Sequence, residues 1–384
     1  MIGLLLGIIY ISFISLGLPD ALLGAAWPTM YQGMGVPVSY AGGIALIISA
    51  GTVVSSLLSD RLTKWLGPGK VTAISVGMTA AALLGFSISS EFWQLCLWAI
   101  PYGLGAGSVD ASLNNYVALH YASRHMSWLH CMWGLGASIG PYIMGAALTG
   151  GLSWNRGYSM IAVLQVILTV VLFFSMPLWK KQNSPGQTDA PKAPLTLKQI
   201  LAIPGAKEVM LAFFCYCALE QTAILWGSSY LVVHDGMPEE RAASLASLYL
   251  IGLTLGRGLN GFLTYKMNDT NLIRLGQGLI ALSIVIMLLP LGPIASFAGL
   301  MLNGLGGAPV YPSIIHSTPA HFGEEKSQAL VGVQMASAYV GVCVMPPVFG
   351  ILARYTTASL LPWYLVAILV VMVVMTEKLN RICK

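Results

Sequence analysis

"GLGAGSVDASLNN" (103–115) and "GLGGAPVYPSIIH" (304–316) decide how this chain folds. They lie 201 residues apart, and Gly103, Leu104, Gly105, Val109 and Ser112 recur as Gly304, Leu305, Gly306, Val310 and Ser313. The same offset sets Asp20 on Gln221, Gly51 on Gly252 and Gly140 on Gly341. One constant shift across four apolar segments marks a duplicated half-molecule. A shorter echo at an offset of 90, "GLPDALL" (17–23) on "GSVDASL" (107–113), aligns two acids, Asp20 and Asp110.

Composition sets the medium. Of 384 residues, 56% are hydrophobic and 9% charged, and mean hydropathy is +0.76. Soluble domains carry about 25% charged residues, so this chain cannot cover a water-facing surface. A spanning helix needs roughly 20 mostly apolar residues. Twelve such stretches are expected, near 2–31, 39–59, 71–90, 92–119, 127–150, 156–179, 207–233, 241–264, 271–290, 294–317, 327–352 and 359–376. The first lacks a basic start and outruns a signal peptide, so it reads as a span. The expected fold is all-α, with two pseudo-symmetric six-helix bundles at 1–179 and 206–384. A Pro-rich cytoplasmic linker, 180–205, joins them.

Charge then gives orientation. Taking the loops alternately, fifteen Lys and Arg fall on one side and three on the other, with Arg257 alone inside a span. This positive-inside bias places both termini in the cytoplasm of a bacterial-type plasma (inner) membrane. It also accounts for the net charge of +5 without nucleic acid. The six cysteines show no zinc spacing, and no metal or organic cofactor is expected.

Inside the spans stand Asp20, Asp110, Glu220, Arg257, His130 and His316. A charge at the bilayer centre costs at least ~3 kcal/mol, and such groups face the bundle interior or water. Gly17, Asp20, Gly24, Trp27 and Tyr31 share a helical face, as do Asp110 and Asn114 one turn apart. Low dielectric disfavours the charged carboxylate. A carboxyl that is neutral when buried and ionised when wetted can carry a proton across. Asp20 and Asp110 suit that role, and Glu220 is grouped with them. Arg257 is a charge partner for either Asp110 or Glu220. The same carboxylates and amides could hold sodium, so the coupling ion stays open here.

The expected solute lining is Trp27, Tyr31, Trp133, Trp226 and Tyr311 with Asn114, Asn115, Gln221, Asn303, Gln334, His130 and His316. Amides and acids hydrogen-bond hydroxyls while rings cover C–H faces, as a sugar needs. A lipophilic amine would also fit, through cation–π contacts. The partners are therefore a small solute and the lipid bilayer, and the chain is expected to work as a monomer.

Nested repeats of this kind match a transporter architecture whose halves rock about a central site. The chain resembles the major facilitator superfamily over its whole length. "SDRLTKWLGPGK" (59–70), with Asp60 and Arg61, looks like that superfamily's acidic-basic-glycine loop, which implies a gating role for the pair. "PDALL" (19–23), "GLGAGSVDASLNNYV" (103–117), "FCYCALEQTAILWGSSYLV" (214–232), "GR" (256–257) and "YPSI" (311–314) resemble the fucose permease group of proton-coupled sugar symporters. The resemblance implies proton coupling and sugar binding at Asp20 and Asp110. His130, Trp133 and the Gly-Leu-Pro before Asp20 depart from that group. The expected function is proton-coupled symport of a sugar or similar polar solute by alternating access. The alternative is a proton-driven exporter of amphiphilic compounds. No residue grouping suggests an enzyme.

Overall fold

A computed structural model describes residues 2–180 and 194–383. Thirteen residues of the expected linker, 181–193, lie outside them. Among the described residues there is no strand. The helices are α1 Ile2–Gly17, α2 Leu22–Met34, α3 Tyr40–Leu66, α4 Pro68–Ile88, α5 Phe92–His120, α6 Ser123–Thr149, α7 Trp154–Phe174 and the short α8 Met176–Lys180. They continue as the short α9 Leu197–Leu201, then α10 Ala206–Asp235, α11 Glu239–Ala246, α12 Leu248–Leu263, α13 Asp269–Leu288, α14 Pro293–Gly307, α15 Val310–Phe322, α16 Glu324–Tyr355 and α17 Leu361–Ile382. Helix is the only choice that satisfies every backbone N–H and C=O within one segment in hydrocarbon.

Among the described residues, nine helical stretches are long and apolar enough to cross a membrane. The fourth expected span is the 29-residue α5. The eighth and tenth are each two helices, α11–α12 and α14–α15. The first is also divided. After Gly17 the chain makes tight turns, Asp20 N–H to Gly17 C=O and Leu22 N–H to Pro19 C=O (both 3.1 Å), before α2 begins. Pro19 has no N–H to continue the helix. This corrects the expected face through Asp20: the helix is interrupted at the acid itself. The linker also carries order at its end, where Thr196 and Gln199 form a capping box on α9.

The chain divides into two compact units. One holds Met1–Tyr116 with Met132–Leu195, the other Val117–Cys131 with Thr196–Lys384. The expected bundles, 1–179 and 206–384, differ from this at 117–131.

Within each unit the duplicated glycines do the same work. A Cβ on Gly103 would lie 2.2 Å from the Ile48 carbonyl oxygen of α3. One on Gly304 would lie 2.1 Å from the Tyr249 carbonyl oxygen of α12. Gly140 abuts the Leu18 carbonyl as Gly341 abuts that of Phe214. Small residues let helix backbones touch where lipid offers no hydrophobic drive for association. The repeat in the sequence is therefore a repeat of backbone-to-backbone contacts. Gly304→Val should cost about 1–3 kcal/mol by overpacking, lowering the thermal midpoint in detergent. Gly278→Val, whose Cβ would meet nothing within 4 Å, should leave it unchanged.

Candidate functional site

In the N-terminal unit the break at Leu18–Ala21 frees Asp20 from regular helix. Asp20 as a residue keeps accessible surface. Trp133 of α6 donates its indole N–H to Oδ2 (2.7 Å), and the Tyr102 hydroxyl of α5 donates to Oδ1 (3.5 Å). α6 is held against α1 by Gly136 and Gly140, which lie on the Ile14 and Leu18 carbonyls. That close approach brings Trp133 within reach of the acid. Asp110, half-buried on α5, is near enough for its charge to act on Asp20. Asn114 donates to Asp110 Oδ1 (2.7 Å) and to its backbone carbonyl (3.0 Å). Asn115, 5% exposed, has an Oδ1 without a hydrogen-bond partner among the described residues. Tyr31 is half-buried, with its hydroxyl accepting from Gln32 (3.2 Å).

In the C-terminal unit Arg257 has Glu220 as a partner. Arg257, 3% exposed, has Nη2 3.4 Å from Glu220 Oε2. The Tyr216 hydroxyl, one turn before Glu220, donates to the same oxygen. Glu220 was grouped by sequence with the two coupling acids, but here it is counter-charge to a buried guanidinium. Beside the pair, Tyr311 packs against the rings of His130 (4.4 Å between centroids), Phe213 (4.7 Å) and Tyr216 (6.0 Å). Its hydroxyl donates to Met335 Sδ (3.3 Å). Gln221 is half-buried on α10.

Five expected solute contacts have their polar groups engaged in packing. Trp27, 5% exposed, lies in the apolar core of the N-terminal unit and donates to the Val38 carbonyl (2.7 Å). Trp226 donates to the Pro346 carbonyl (2.9 Å) and packs on Phe349. Asn303 donates to Ser283 (2.8 Å), joining α14 to α13. Gln334 exchanges hydrogen bonds with Thr318 (3.0 and 3.3 Å), joining α16 to α15. His316 meets Asp269 and a backbone carbonyl. Buried amide and indole groups must find partners, and their helical neighbours supply them first. Of the loop pair, Asp60 is buried with Oδ2 2.9 Å from Lys64, one turn on, and Arg61 is exposed.

Sequence reasoning missed Tyr102 and Asp269. Nothing distinguishes Tyr102 among 16 tyrosines until α5 meets the broken first span. Asp269 looks like an ordinary first-turn acid after the Asn268 cap.

The profile of the Major Facilitator Superfamily matches residues 9–298. The chain belongs to the Major Facilitator Superfamily. It is an integral membrane protein with that superfamily's transporter fold. It is 23% identical over 279 residues to bypass of stop codon protein 6 of Saccharomyces cerevisiae, covering 67% of this chain and 56% of that one. The match thus spans little more than half the length of the yeast protein. It is 20% identical over 312 residues to the glucose/mannose transporter GlcP of Bacillus subtilis, covering 79% and 77%. The solved structure of the Escherichia coli fucose:proton symporter FucP superposes with a TM-score of 0.74 at 16% identity, covering 97% of this chain and 98% of that one. The fold class and the resemblance read from sequence both hold.

Trp133→Phe keeps the ring and deletes the donor, while Asp20→Ala deletes the acceptor. Thermal unfolding of the two single variants and the double variant should give a coupling on the order of 1 kcal/mol. Additive effects would show that the bond contributes nothing.

Proposed function

We propose that this protein is a secondary active transporter coupling proton movement to symport of a sugar or similar small polar solute. The supporting observation is the setting of Asp20. Its carboxylate lies at a break in a membrane helix, held by two uncharged donors, and near enough to a second acid, Asp110, for their charges to act on each other. Interrupted helices near the bilayer midplane are where secondary transporters place ion and substrate sites. The two donors, Trp133 and Tyr102, are uncharged, so proton gain and loss at Asp20 takes a counter-charge from neither. Glu220 differs, because protonation would take a counter-charge from Arg257.

On this reading Asp20 and Asp110 ionise when water reaches them and become neutral when it does not. Neutralisation removes the cost of enclosing them, which licenses the conformational change. Loss of the proton on the other side completes the cycle. The names of the glucose/mannose transporter and the fucose:proton symporter support a sugar. The positive-inside pattern supports a bacterial-type plasma membrane with cytoplasmic termini. The chain is proposed to act as a monomer, with no cofactor beyond the ion gradient.

Purified protein in proteoliposomes carrying a trapped pH dye tests this with D-glucose, D-mannose and L-fucose as probes. Wild type should acidify the lumen when one of these enters, and Asp110→Asn and Asp20→Asn should reduce that signal to background. Full coupling in both variants would overturn the reading. Proton flow opposite to solute flow would identify an exporter, and a sodium requirement would replace the proton.

A further inference from the structure

We propose that His316 and Asp269 form a proton-binding site separate from Asp20 and Asp110, and that its proton fastens segment 117–131 to the C-terminal helices. All the residues concerned lie in the second unit. His316 Nδ1 is 2.6 Å from Asp269 Oδ2, and His316 Nε2 is 3.2 Å from the Tyr121 carbonyl oxygen. Ser123 donates to the other Asp269 oxygen (2.5 Å).

With both contacts as hydrogen bonds, the proton count follows. A carbonyl oxygen only accepts, so Nε2 must carry a hydrogen. Neutral imidazole has one N–H, which leaves a lone pair on Nδ1 facing a carboxylate oxygen. Two lone pairs repel at 2.6 Å, so a further proton lies between Nδ1 and Oδ2. The pair is imidazolium with carboxylate, or imidazole with carboxylic acid, and either form holds one dissociable proton. Loss of that proton leaves an imidazole against an anion, and the contact opens.

The rest of the segment makes further contacts of its own. Asn260 donates to Ser127 (2.7 Å), Arg124 lies over the Tyr265 ring (5.3 Å), and Trp128 packs on Gly261. These neighbouring contacts do not require a titratable proton. His316 and Asp269 keep about a fifth of their side-chain surface accessible, so protons can exchange. The site lies on the side of the basic loops, where Arg124, Lys266 and Arg274 stand. The other titratable or charged groups on elements packed here are His120 at the end of α5, Arg124 and His125 on α6, Arg274 on α13, His321 on α15, and Glu324, Glu325 and Lys326 on α16. Of the histidines among them, His125 contacts rings of Tyr121 and Trp128. His321 Nδ1 has no hydrogen-bond partner among the described residues. His316 is assigned as the titrating group because it stands between the Asp269 carboxylate and the Tyr121 carbonyl.

The segment ends at His130 and Cys131, so its release would loosen the base of α6 beside Tyr311. The proton is thereby both ligand and fastener. It is retained at low pH on that face and lost as pH rises.

Hydrogen–deuterium exchange of the full chain in lipid nanodiscs tests this without any solute. Protection of the 121–127 amides is read against an α7 peptide in the same sample, across a pH series. In wild type, relative protection should fall by about tenfold or more as pH rises, the equivalent of one charge-assisted hydrogen bond. Gln can donate both hydrogens without titrating, so His316→Gln should stay protected throughout. His316→Ala should be unprotected throughout. His125→Gln and His321→Gln should keep the wild-type response. A pH-independent wild type, or a His316→Gln variant that responds as wild type does, would overturn the proposal. Should His316→Ala not fold, the Gln comparison decides alone.

Discussion

Hydrocarbon gives a backbone nothing to bond with, and this constraint governs the whole molecule. Every N–H and C=O must be met inside its own helix or by a neighbour. Helices then have little reason to associate except close contact and polar bonds between them. The duplicated glycines supply the close contact, since Gly103 and Gly304 touch carbonyls at corresponding places in the two units. Shared hydrogen bonds such as Asn303–Ser283 and Gln334–Thr318 supply the polar link. Where a helix is nevertheless interrupted, the cost has to be met by something with a use.

The interruption beside Asp20 illustrates this. Pro19 ends α1, and the following turns leave a carboxylate off the helix axis where an indole and a phenol can reach it. Both donors are neutral, so neither supplies a fixed counter-charge to the acid. The C-terminal unit makes the opposite choice. Glu220 is bound to the buried guanidinium of Arg257 and to the Tyr216 hydroxyl. Two acids that look equivalent as letters in apolar helices are thus assigned different chemistry by their partners.

Histidine shows the same dependence. His130 meets the face of Tyr311, whereas His316 bridges a carboxylate and a carbonyl. Both were equal candidates for touching a solute. The proton proposed for His316 follows from those two neighbours, which its sequence context does not reveal.

The sequence by itself determined the medium, the twelve spans, the duplication and the family. Each is a property of averages or of constant spacing: hydropathy over about twenty residues, lysine and arginine bias between loops, an offset of 201. It also picked out Asp20, Asp110, Glu220 and Arg257, because charge in hydrocarbon is conspicuous wherever it points. Only the tertiary structure decided that Arg257 pairs with Glu220, and that Trp27, Trp226, Asn303 and Gln334 donate hydrogen bonds to neighbouring segments. It also showed that Asp269, 146 residues from Ser123, shares a hydrogen bond with it. Those outcomes depend on which helix faces meet and at what depth. A hydrogen bond is lost within half an ångström of misplacement, a precision that periodicity along one chain does not carry.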